Sequence, residues 1–295
     1  MKLFLLKFAK YSLVLFILLN LISFVVLETL SNSEFYKPQF VKNYDAKKEF
    51  DYVVLGSSLG LTTLDTKQID TYFNSFGLNI SMDDSFLNSH YLMLQHFYAS
   101  NKKTKRLVLC LNYEDVSSST YQLNNNDYRF ITEIQHQNIS DYYYENDTDY
   151  FKKLYLSKYF PIIGVSYYNY ELFFPSILTL LNPKKHNKFD DKGNFLYPDT
   201  HPKKMNMVSI PKSITIKNKY FKKIYDFCEA KGIEMIVYQP PVYGKKISYE
   251  NLPKDVQFIN HSDLITNDLF YDMLHVNRKG RTFCTLAFCK EFNIP

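Results

Sequence analysis

Short apolar runs alternate with amphipathic stretches over most of the chain. The runs are rich in β-branched and aromatic residues and are bounded by polar residues or glycine, which is typical of buried strands. Between the runs, apolar residues recur at helical spacing. Because strand and helix alternate, the sequence predicts an α/β protein with a doubly wound parallel sheet. The predicted strands cover residues 52–56, 76–82, 107–111, 233–238 and 256–259.

The stretches between these strands predict the helices. Apolar residues at helical spacing cover 62–73, 85–98 and 216–231, and Gly232 is a suitable residue to end the third helix. A last helix begins after Asn277, whose side chain can cap it. We expect four residues of this last helix to face the core, namely Phe283, Leu286, Ala287 and Phe288.

The N-terminal part of the chain has the composition of a membrane anchor. Residues 11–28 carry no charge before Glu28, and with the apolar residues that precede them they reach the ~20 residues that span a bilayer. Three lysines lie within residues 1–10, so the positive-inside rule predicts a cytoplasmic N-terminus and an extracytoplasmic remainder. A cleaved signal peptide is the alternative, although no Ala-x-Ala site follows the apolar run.

A candidate nucleophile follows the first predicted strand. Residues 56–60 read Gly-Ser-Ser-Leu-Gly and fit the G-x-S-x-G pattern, in which a strand ends in a sharp turn that exposes the central serine, here Ser58. A helix that begins at this turn directs its free N–H groups toward the hydroxyl, where they can stabilise an oxyanion. The alternative is a Gly/Ser turn without chemistry.

Two further side chains complete a candidate catalytic triad. Asp272 and His275 are three residues apart, so their side chains share a face and the carboxylate can orient the imidazole. Ligands of doubly wound sheets collect at the carboxyl ends of the strands. Ser58 and Asn112 follow such ends, and the loop with Asp272 and His275 precedes the last helix. We therefore expect these four side chains in one crevice.

Composition argues against several other functions. The net charge of +5 is mild and no segment resembles a nucleic-acid-binding module, so nucleic acid is not an expected partner. No CxxC or Cys/His spacing suggests a metal site, and serine chemistry needs no organic cofactor. The four cysteines are predicted to be buried thiols, namely Cys110, Cys228, Cys284 and Cys289.

The motifs resemble those of the SGNH (GDSL-like) hydrolase family over about residues 51–295. Where the family has Gly-Asp-Ser, Gly-x-Asn and Asp-x-x-His, this chain has Gly-Ser-Ser at 56–58, Cys-Leu-Asn at 110–112 and Asp-Met-Leu-His at 272–275. The serine in place of the family's Asp resembles membrane-anchored members that act on cell-envelope polymers. The resemblance implies a three-layer α/β/α, flavodoxin-like fold.

The resemblance also implies a role for each site residue. Ser58 corresponds to the nucleophile, and Asp272 and His275 correspond to the acid and base of the triad. The implied oxyanion donors are the N–H of Ser58, the side chain of Asn112 and the N–H of Ser81, which is the best match to the glycine of the family's second block. The α/β-hydrolase fold is the alternative fold that contains G-x-S-x-G, and it separates its catalytic acid from its histidine by many residues.

Residues 117–215 interrupt the alternation of strand and helix. This segment is crowded with Tyr and Phe and is punctuated by prolines, so we predict an insertion that covers the active-site side of the sheet. It could act as a lid, a glycan-contacting surface or a membrane-facing flap. Residues 29–50 are polar and mixed, and we predict that they form a juxtamembrane connector.

The triad, the anchor and the aromatic insertion together predict a membrane-anchored acyl-ester enzyme, an O-acetyltransferase or esterase acting on cell-envelope or exported polysaccharide. Similar anchored SGNH proteins often work beside a membrane-bound O-acyltransferase, so the resemblance implies such a partner. One alternative is a non-catalytic binding or assembly protein of a polysaccharide-modification complex that kept the fold. Another is a soluble secreted esterase released by signal cleavage.

Overall fold

The computed structural model describes residues 1–119, 123–124, 126–168, 170–199 and 210–292. The chain forms two compact units. The sheet unit consists of Tyr44–Asn124 and Lys188–Pro295. The anchor unit consists of Met1–Asn43 and Asn125–Asn187.

The described residues form the following helices and strands. The strands are β1 (Glu49–Phe50), β2 (Tyr52–Leu55), β3 (Gly77–Asn79), β4 (Lys103–Thr104), β5 (Arg106–Cys110), β6 (Ile210–Ile214), β7 (Glu234–Gln239), β8 (Lys245–Tyr249) and β9 (Gln257–Asn260). The α-helices are α1 (Lys2–Leu30), α2 (Lys37–Asn43), α3 (Ser58–Thr63), α4 (Thr66–Phe73), α5 (Leu87–Ala99), α6 (Tyr113–Ser117), α7 (Gln137–Asn146), α8 (Lys153–Leu156), α9 (Pro161–Ser166), α10 (Tyr170–Leu181), α11 (Pro183–His186), α12 (Lys219–Lys231) and α13 (Arg278–Glu291), and 3₁₀ turns cover Asp127–Glu133 and Asn267–Leu269.

The sheet unit is organised around one parallel sheet. Its five strands lie in the order β3-β2-β5-β7-β9, and each neighbouring pair is parallel. Numbered along the chain, this order is 2-1-3-4-5, so the direction in which strands are added reverses, as in a doubly wound sheet. The predicted α/β class with a parallel sheet is confirmed. Each of the five predicted apolar runs contributes one strand.

The central strands read as continuous apolar runs because both of their faces are covered. Every residue of β2 and β5 is buried, and Val53, Val54 and Leu55 expose no surface. A strand with one solvent-exposed face would instead alternate between apolar and polar residues. Burial on both faces therefore explains why the strands could be located from composition and length.

The helix predicted over 62–73 is wrong in one respect, because the chain forms two helices there. α3 ends at Thr63 and α4 begins at Thr66. Asp65 is extended and its carboxylate accepts hydrogen bonds from the N–H groups of Lys67 and Gln68, which caps the second helix. An acidic side chain that satisfies two free donors favours a new helix start over continuation.

The last helix begins as predicted but presents a different face to the core. The Asn277 side chain accepts a hydrogen bond from the Gly280 N–H at 2.9 Å, so the predicted cap is confirmed. Phe283 and Leu286 are 48% and 41% exposed, and the prediction that they face the core is wrong. Phe288 exposes no surface and faces the core as predicted, and the buried stripe runs at four-residue spacing through Cys284, Phe288 and Phe292.

The cysteines explain that shift of face. All four are free and buried, as predicted. Two of them, Cys284 and Cys289, occupy inward positions of α13. A buried cysteine behaves as a small hydrophobic residue, so a thiol on the core face lets the larger phenylalanine and leucine lie at the surface.

A buried carboxylate joins the starts of two helices in the sheet unit. Asp115 accepts the Leu87 N–H at 2.6 Å, at the first turn of α5, and the Asn218 side-chain amide at 3.0 Å, at the cap of α12. Only 9% of Asp115 is exposed. The carboxylate therefore satisfies donors that the two helix ends would otherwise bury without a partner.

Asp115 should make stability depend on pH. Burial raises its pKa to about 6, although the hydrogen bonds from Leu87 and Asn218 oppose that effect. A raised carboxyl pKa means that the folded state holds the proton more tightly, so this contribution is complete below about pH 4 and is lost as the pH rises through 6. The shift corresponds to about 3 kcal/mol of unfolding free energy.

The matched control is Asp115→Asn, which keeps an acceptor oxygen but does not titrate. We expect the unfolding free energy of the wild type, measured against that of the variant, to fall by up to about 3 kcal/mol between pH 4 and 6.5. Chemical denaturation at a series of pH values measures this difference. A difference that stays flat or rises over this range would contradict the assignment.

The anchor unit contains α1 and the helices of Asn125–Asn187. Among the described residues, α1 alone is long and apolar enough to cross a membrane, and it contains the whole of the predicted anchor. Just beyond its end, Ser31 donates to Glu133 at 2.5 Å, and Lys42 of α2 pairs with the same carboxylate at 3.1 Å. The predicted connector therefore includes a helix that belongs to this unit.

The segment predicted as a single insertion over 117–215 is divided between the two units. Asn125–Asn187 belongs to the anchor unit, whereas Lys188 and the residues that follow belong to the sheet unit. Positions 120–122, 125, 169 and 200–209 of this segment lie outside the described residues. Its predicted role as a cover for the active-site side of the sheet stays a prediction.

Candidate active site

Ser58 lies where β2 gives way to a helix. β2 ends at Leu55, and Gly56 follows at a place where a Cβ atom would lie 2.8 Å from the Cβ and 2.9 Å from the carbonyl oxygen of Cys110. The Ser57 hydroxyl caps α3 by accepting the Leu59 N–H at 3.4 Å. Ser58 is then the first helical residue, so its N–H is one of the donors that a helix leaves without an internal partner.

Asp272 and His275 are held together by a tight loop. The Asp272 carboxylate accepts the N–H groups of Leu274 and His275, each at 2.7 Å. The Tyr271 N–H donates to the His275 carbonyl at 2.8 Å and closes the loop. The imidazole Nδ1 then lies 2.8 Å from one carboxylate oxygen and 3.1 Å from the other.

The surroundings of Asp272 keep it ionised. Partial burial raises its pKa, but the hydrogen bonds from the His275 ring and from two backbone N–H groups outweigh burial, and the net pKa is below the ordinary value. An ionised carboxylate accepts the Nδ1 proton and so favours the tautomer in which Nε2 is a free acceptor. This is the tautomer that a general base needs.

The two ends of the sheet unit meet at this point. His275 Nε2 lies 2.9 Å from the Ser58 hydroxyl oxygen, across 217 residues of sequence. With the proton of the imidazole on the Asp272 side, the serine hydroxyl donates and Nε2 accepts. Ser58, His275 and Asp272 thus form a continuous hydrogen-bonded chain with the geometry of a nucleophile, a base and an orienting acid.

Asn112 occupies the equivalent place on the neighbouring strand. β2 and β5 are parallel with Leu55 opposite Leu109, so Ser58 and Asn112 each lie three residues past a paired position. The Asn112 side-chain oxygen caps α6 by accepting the Glu114 N–H at 3.0 Å. The cap uses the oxygen, and no hydrogen bond joins the amide Nδ2 to another of the described residues, so this donor is available to a ligand.

The described geometry does not support Ser81 as the third oxyanion donor. Its N–H donates to the Asn79 side-chain oxygen at 3.0 Å, and the residue exposes no surface. A donor that is already bonded within the protein would have to break that bond to stabilise an oxyanion. The two donors that remain in the candidate oxyanion hole are the Ser58 N–H and the Asn112 amide.

Tyr197 is a site residue that the sequence reasoning did not single out. Its ring lies 5.0 Å from the His275 ring and stacks on Tyr271 at 4.4 Å. Two backbone contacts position it: the Phe195 N–H donates to the Leu61 carbonyl, and the Phe195 carbonyl accepts from Arg281. No local motif marks this tyrosine. Its position beside His275 depends on tertiary contacts of an irregular segment that is distant from His275 in the sequence.

Burial together with the nearby carboxylate of Asp272 raises the pKa of Tyr197, so its hydroxyl stays protonated. In the described contacts Tyr197 presents its ring surface to the His275 imidazole. We expect Tyr197→Phe to keep the turnover of an ester near that of the wild type and Tyr197→Ala to lower it about tenfold, because the imidazole loses a wall that fixes its orientation. Equal activity of both variants would remove Tyr197 from the site.

The described residues contain no group of three or more His, Cys, Asp or Glu side chains that could hold a metal ion. A search against protein-family models and a search of curated proteins both found no match to the chain.

Proposed function

We propose that the chain is a membrane-anchored serine enzyme of the SGNH type that acts on acyl esters. The observation that carries this proposal is the hydrogen-bonded chain from Ser58 through His275 to Asp272, with Oγ to Nε2 at 2.9 Å and Nδ1 to the carboxylate at 2.8 Å. Groups at these distances can transfer a proton without rearrangement. The Ser58 N–H and the Asn112 amide, which follow the ends of β2 and β5, are oxyanion donors that support the same reaction.

The topology of the sheet unit supports the family assignment. Its strand order of 2-1-3-4-5 is the flavodoxin-like order that the resemblance implies. The helices associate in two groups, α5 with α12 and α13 with α3 and α4, as expected for helical layers on two faces of a sheet. The acid lies three residues before the histidine, which favours SGNH proteins over α/β-hydrolases.

The first half of the reaction is acylation. The Ser58 oxygen attacks the ester carbonyl carbon while His275 Nε2 takes the hydroxyl proton. The Ser58 N–H and the Asn112 amide hold the negative charge that develops on the carbonyl oxygen. As the intermediate collapses, the bond to the alcohol breaks, the alcohol leaves with the proton from His275, and the acyl group stays on Ser58.

The second half is transfer of the acyl group. His275 takes a proton from water or from a sugar hydroxyl, the resulting oxygen attacks the acyl-Ser58 carbonyl, and the serine leaves with that proton. Attack by water makes the protein an esterase, and attack by a sugar makes it an O-acyltransferase. Throughout, the ionised Asp272 stabilises the imidazolium form of His275.

The substrate and its location follow from the anchor and the resemblance. α1 holds the protein in the membrane with its lysine-rich end in the cytoplasm, so the catalytic residues face envelope or exported polysaccharide. The acyl group in this proposal is acetyl, and a membrane-bound O-acyltransferase is the partner that the resemblance implies. Contacts of Leu27 and Leu30, both buried within the anchor unit, support retention of α1 in the mature protein.

The test is turnover of p-nitrophenyl acetate and of an acetylated polysaccharide by the full chain in detergent or lipid. Ser58→Ala should abolish turnover, whereas Ser57→Ala, which removes only a helix cap, should cost about 1 kcal/mol of stability and retain activity. Turnover by Ser58→Ala at the wild-type rate would end the proposal. A wild type that turns over neither substrate would favour the non-catalytic alternative.

A further inference from the structure

The strands β6 and β8 form a two-stranded ribbon at the carboxyl edge of the main sheet. The Tyr249 hydroxyl donates to the Gln239 side-chain oxygen at 2.5 Å. The Asn260 side-chain amide donates to the Ile247 carbonyl at 2.8 Å. Gln239 and Asn260 are the last residues of β7 and β9, so both bonds hold the ribbon where those strands end. Ser58 follows the end of β2 at the same edge, which is where ligands of a doubly wound sheet bind.

Two lysines of this ribbon share its inward face. In the parallel register Lys212 lies opposite Ile247, and Lys245 precedes Ile247 by two residues on β8. Residues that are paired across two strands, or two apart on one strand, point to the same face of a sheet. Ile247 is only 1% exposed, so the face that carries both lysines is turned toward the protein. Lys246 points to the other face and is exposed.

Both ammonium groups lie over one buried ring beside the proposed oxyanion hole. The ring belongs to Tyr113, the residue directly after Asn112, and it is 6% exposed. The Nζ atoms of Lys212 and Lys245 lie 4.5 Å and 4.7 Å from its centre. Lys245 also donates to the Tyr113 hydroxyl. The electron-rich face of the ring thus holds two positive charges next to the candidate donor.

Neither ammonium group forms an ion pair with a carboxylate of the described chain. The adjacent acidic side chain is Glu114, which accepts a hydrogen bond from the Tyr113 hydroxyl at 2.7 Å. Two positive charges against one negative charge leave this group of side chains net positive. Like charges that share one ring repel each other, and a bound anion would offset that repulsion.

We propose that Lys212 and Lys245 bind a negatively charged group of the substrate, so that the polysaccharide which reacts at Ser58 is an anionic one, bearing carboxylate or phosphate groups. A lysine ammonium acts as a point charge and binds either kind of anion. Because Tyr113 directly follows Asn112, a ligand longer than one sugar can contact the oxyanion donor and the two lysines together. This inference rests on the proposed function and names the substrate class of the same site.

The test measures binding by the full chain in nanodiscs of phosphatidylcholine, whose headgroups carry no net charge and therefore do not compete. The probes are three fluorescent oligosaccharides of similar length, namely trigalacturonate, a phosphorylated mannose oligosaccharide and neutral maltotriose. The variants are Lys212→Gln, Lys245→Gln and the double variant. Lys246→Gln is the matched control, because it removes the same charge from the opposite face of the same strand.

We expect the wild type to bind at least one charged probe about tenfold more tightly than maltotriose, and each single variant to lose about fivefold of that affinity. The double variant should bind charged and neutral probes alike, and Lys246→Gln should bind as the wild type does. The charged probe that binds more tightly identifies the group as carboxylate or phosphate. Lys212 makes no hydrogen bond within the described chain, so Lys212→Gln tests the proposal even if Lys245→Gln fails to fold.

Equal binding of the charged and neutral probes by the wild type would overturn the inference, and so would an equal loss of affinity in Lys246→Gln. Turnover of p-nitrophenyl acetate by the wild type separates this result from the proposed function. An active enzyme that shows no preference for anions would contradict this inference alone. A wild type that is inactive with the ester but binds anions through the two lysines would contradict the catalytic proposal and would support the anion site.

Discussion

Replacing His275 by Ala should lower ester turnover by about 10³-fold or more, because the Ser58 hydroxyl loses the base that accepts its proton. The expected effect is large since Nε2 is already 2.9 Å from the hydroxyl oxygen, and no other imidazole of the described chain is hydrogen-bonded to Ser58. The measurement is the steady-state rate with p-nitrophenyl acetate. KM should change little, because the imidazole acts mainly in the transition state.

Two controls separate this loss from misfolding. His136→Ala removes a surface histidine of the anchor unit and should keep the wild-type rate. The thermal unfolding midpoint of His275→Ala should stay close to that of the wild type, because Asp272 keeps its two backbone hydrogen bonds without the ring. Full activity of His275→Ala would show that the observed triad is not the catalytic machinery.

The second large effect is expected at Asn112, where the oxygen and the nitrogen of the side-chain amide have different roles. The oxygen caps α6, and the nitrogen is the proposed oxyanion donor. Asn112→Asp keeps a cap oxygen, removes the donor and places a negative charge beside the developing oxyanion. We expect turnover to fall by about 10²–10³-fold, which is the usual cost of losing one oxyanion donor.

Asn112→Ala completes the comparison, because it removes both the cap and the donor. Its turnover should fall as far as that of Asn112→Asp, while its unfolding free energy should drop by about 1 kcal/mol more. If Asn112→Asp were as active as the wild type, Asn112 would be a helix cap alone. The oxyanion hole would then need another donor from the described loops.

The sheet and the meeting of Ser58 with His275 could be predicted from the sequence because each depends on a simple physical rule. Strands buried on both faces are continuous apolar runs, and parallel strands bring their carboxyl ends to one edge. Residues that follow such ends come together whatever their distance along the chain. The G-x-S-x-G turn and the Asp-x-x-His spacing then identify which of these residues carry the chemistry.

The details that were missed depend on side chains competing for the same backbone donors or core positions. Asn79 stands two residues before Ser81, the spacing at which an Asn side chain captures a backbone N–H, and this signal argued against Ser81 as an oxyanion donor. Asp65 likewise ends one helix by capping the next. Tyr197 had no signal of its own, since the Phe195 and Arg281 contacts that position it are tertiary.

The most direct test of the central claim is to treat the full chain with a fluorophosphonate probe and to locate the modified residue by peptide mass spectrometry. The account predicts one modified peptide that contains Ser58, with no modification in His275→Ala, because the probe reacts only with a serine that a base activates. A wild type that stays unmodified, or a probe bound at another residue, would contradict it.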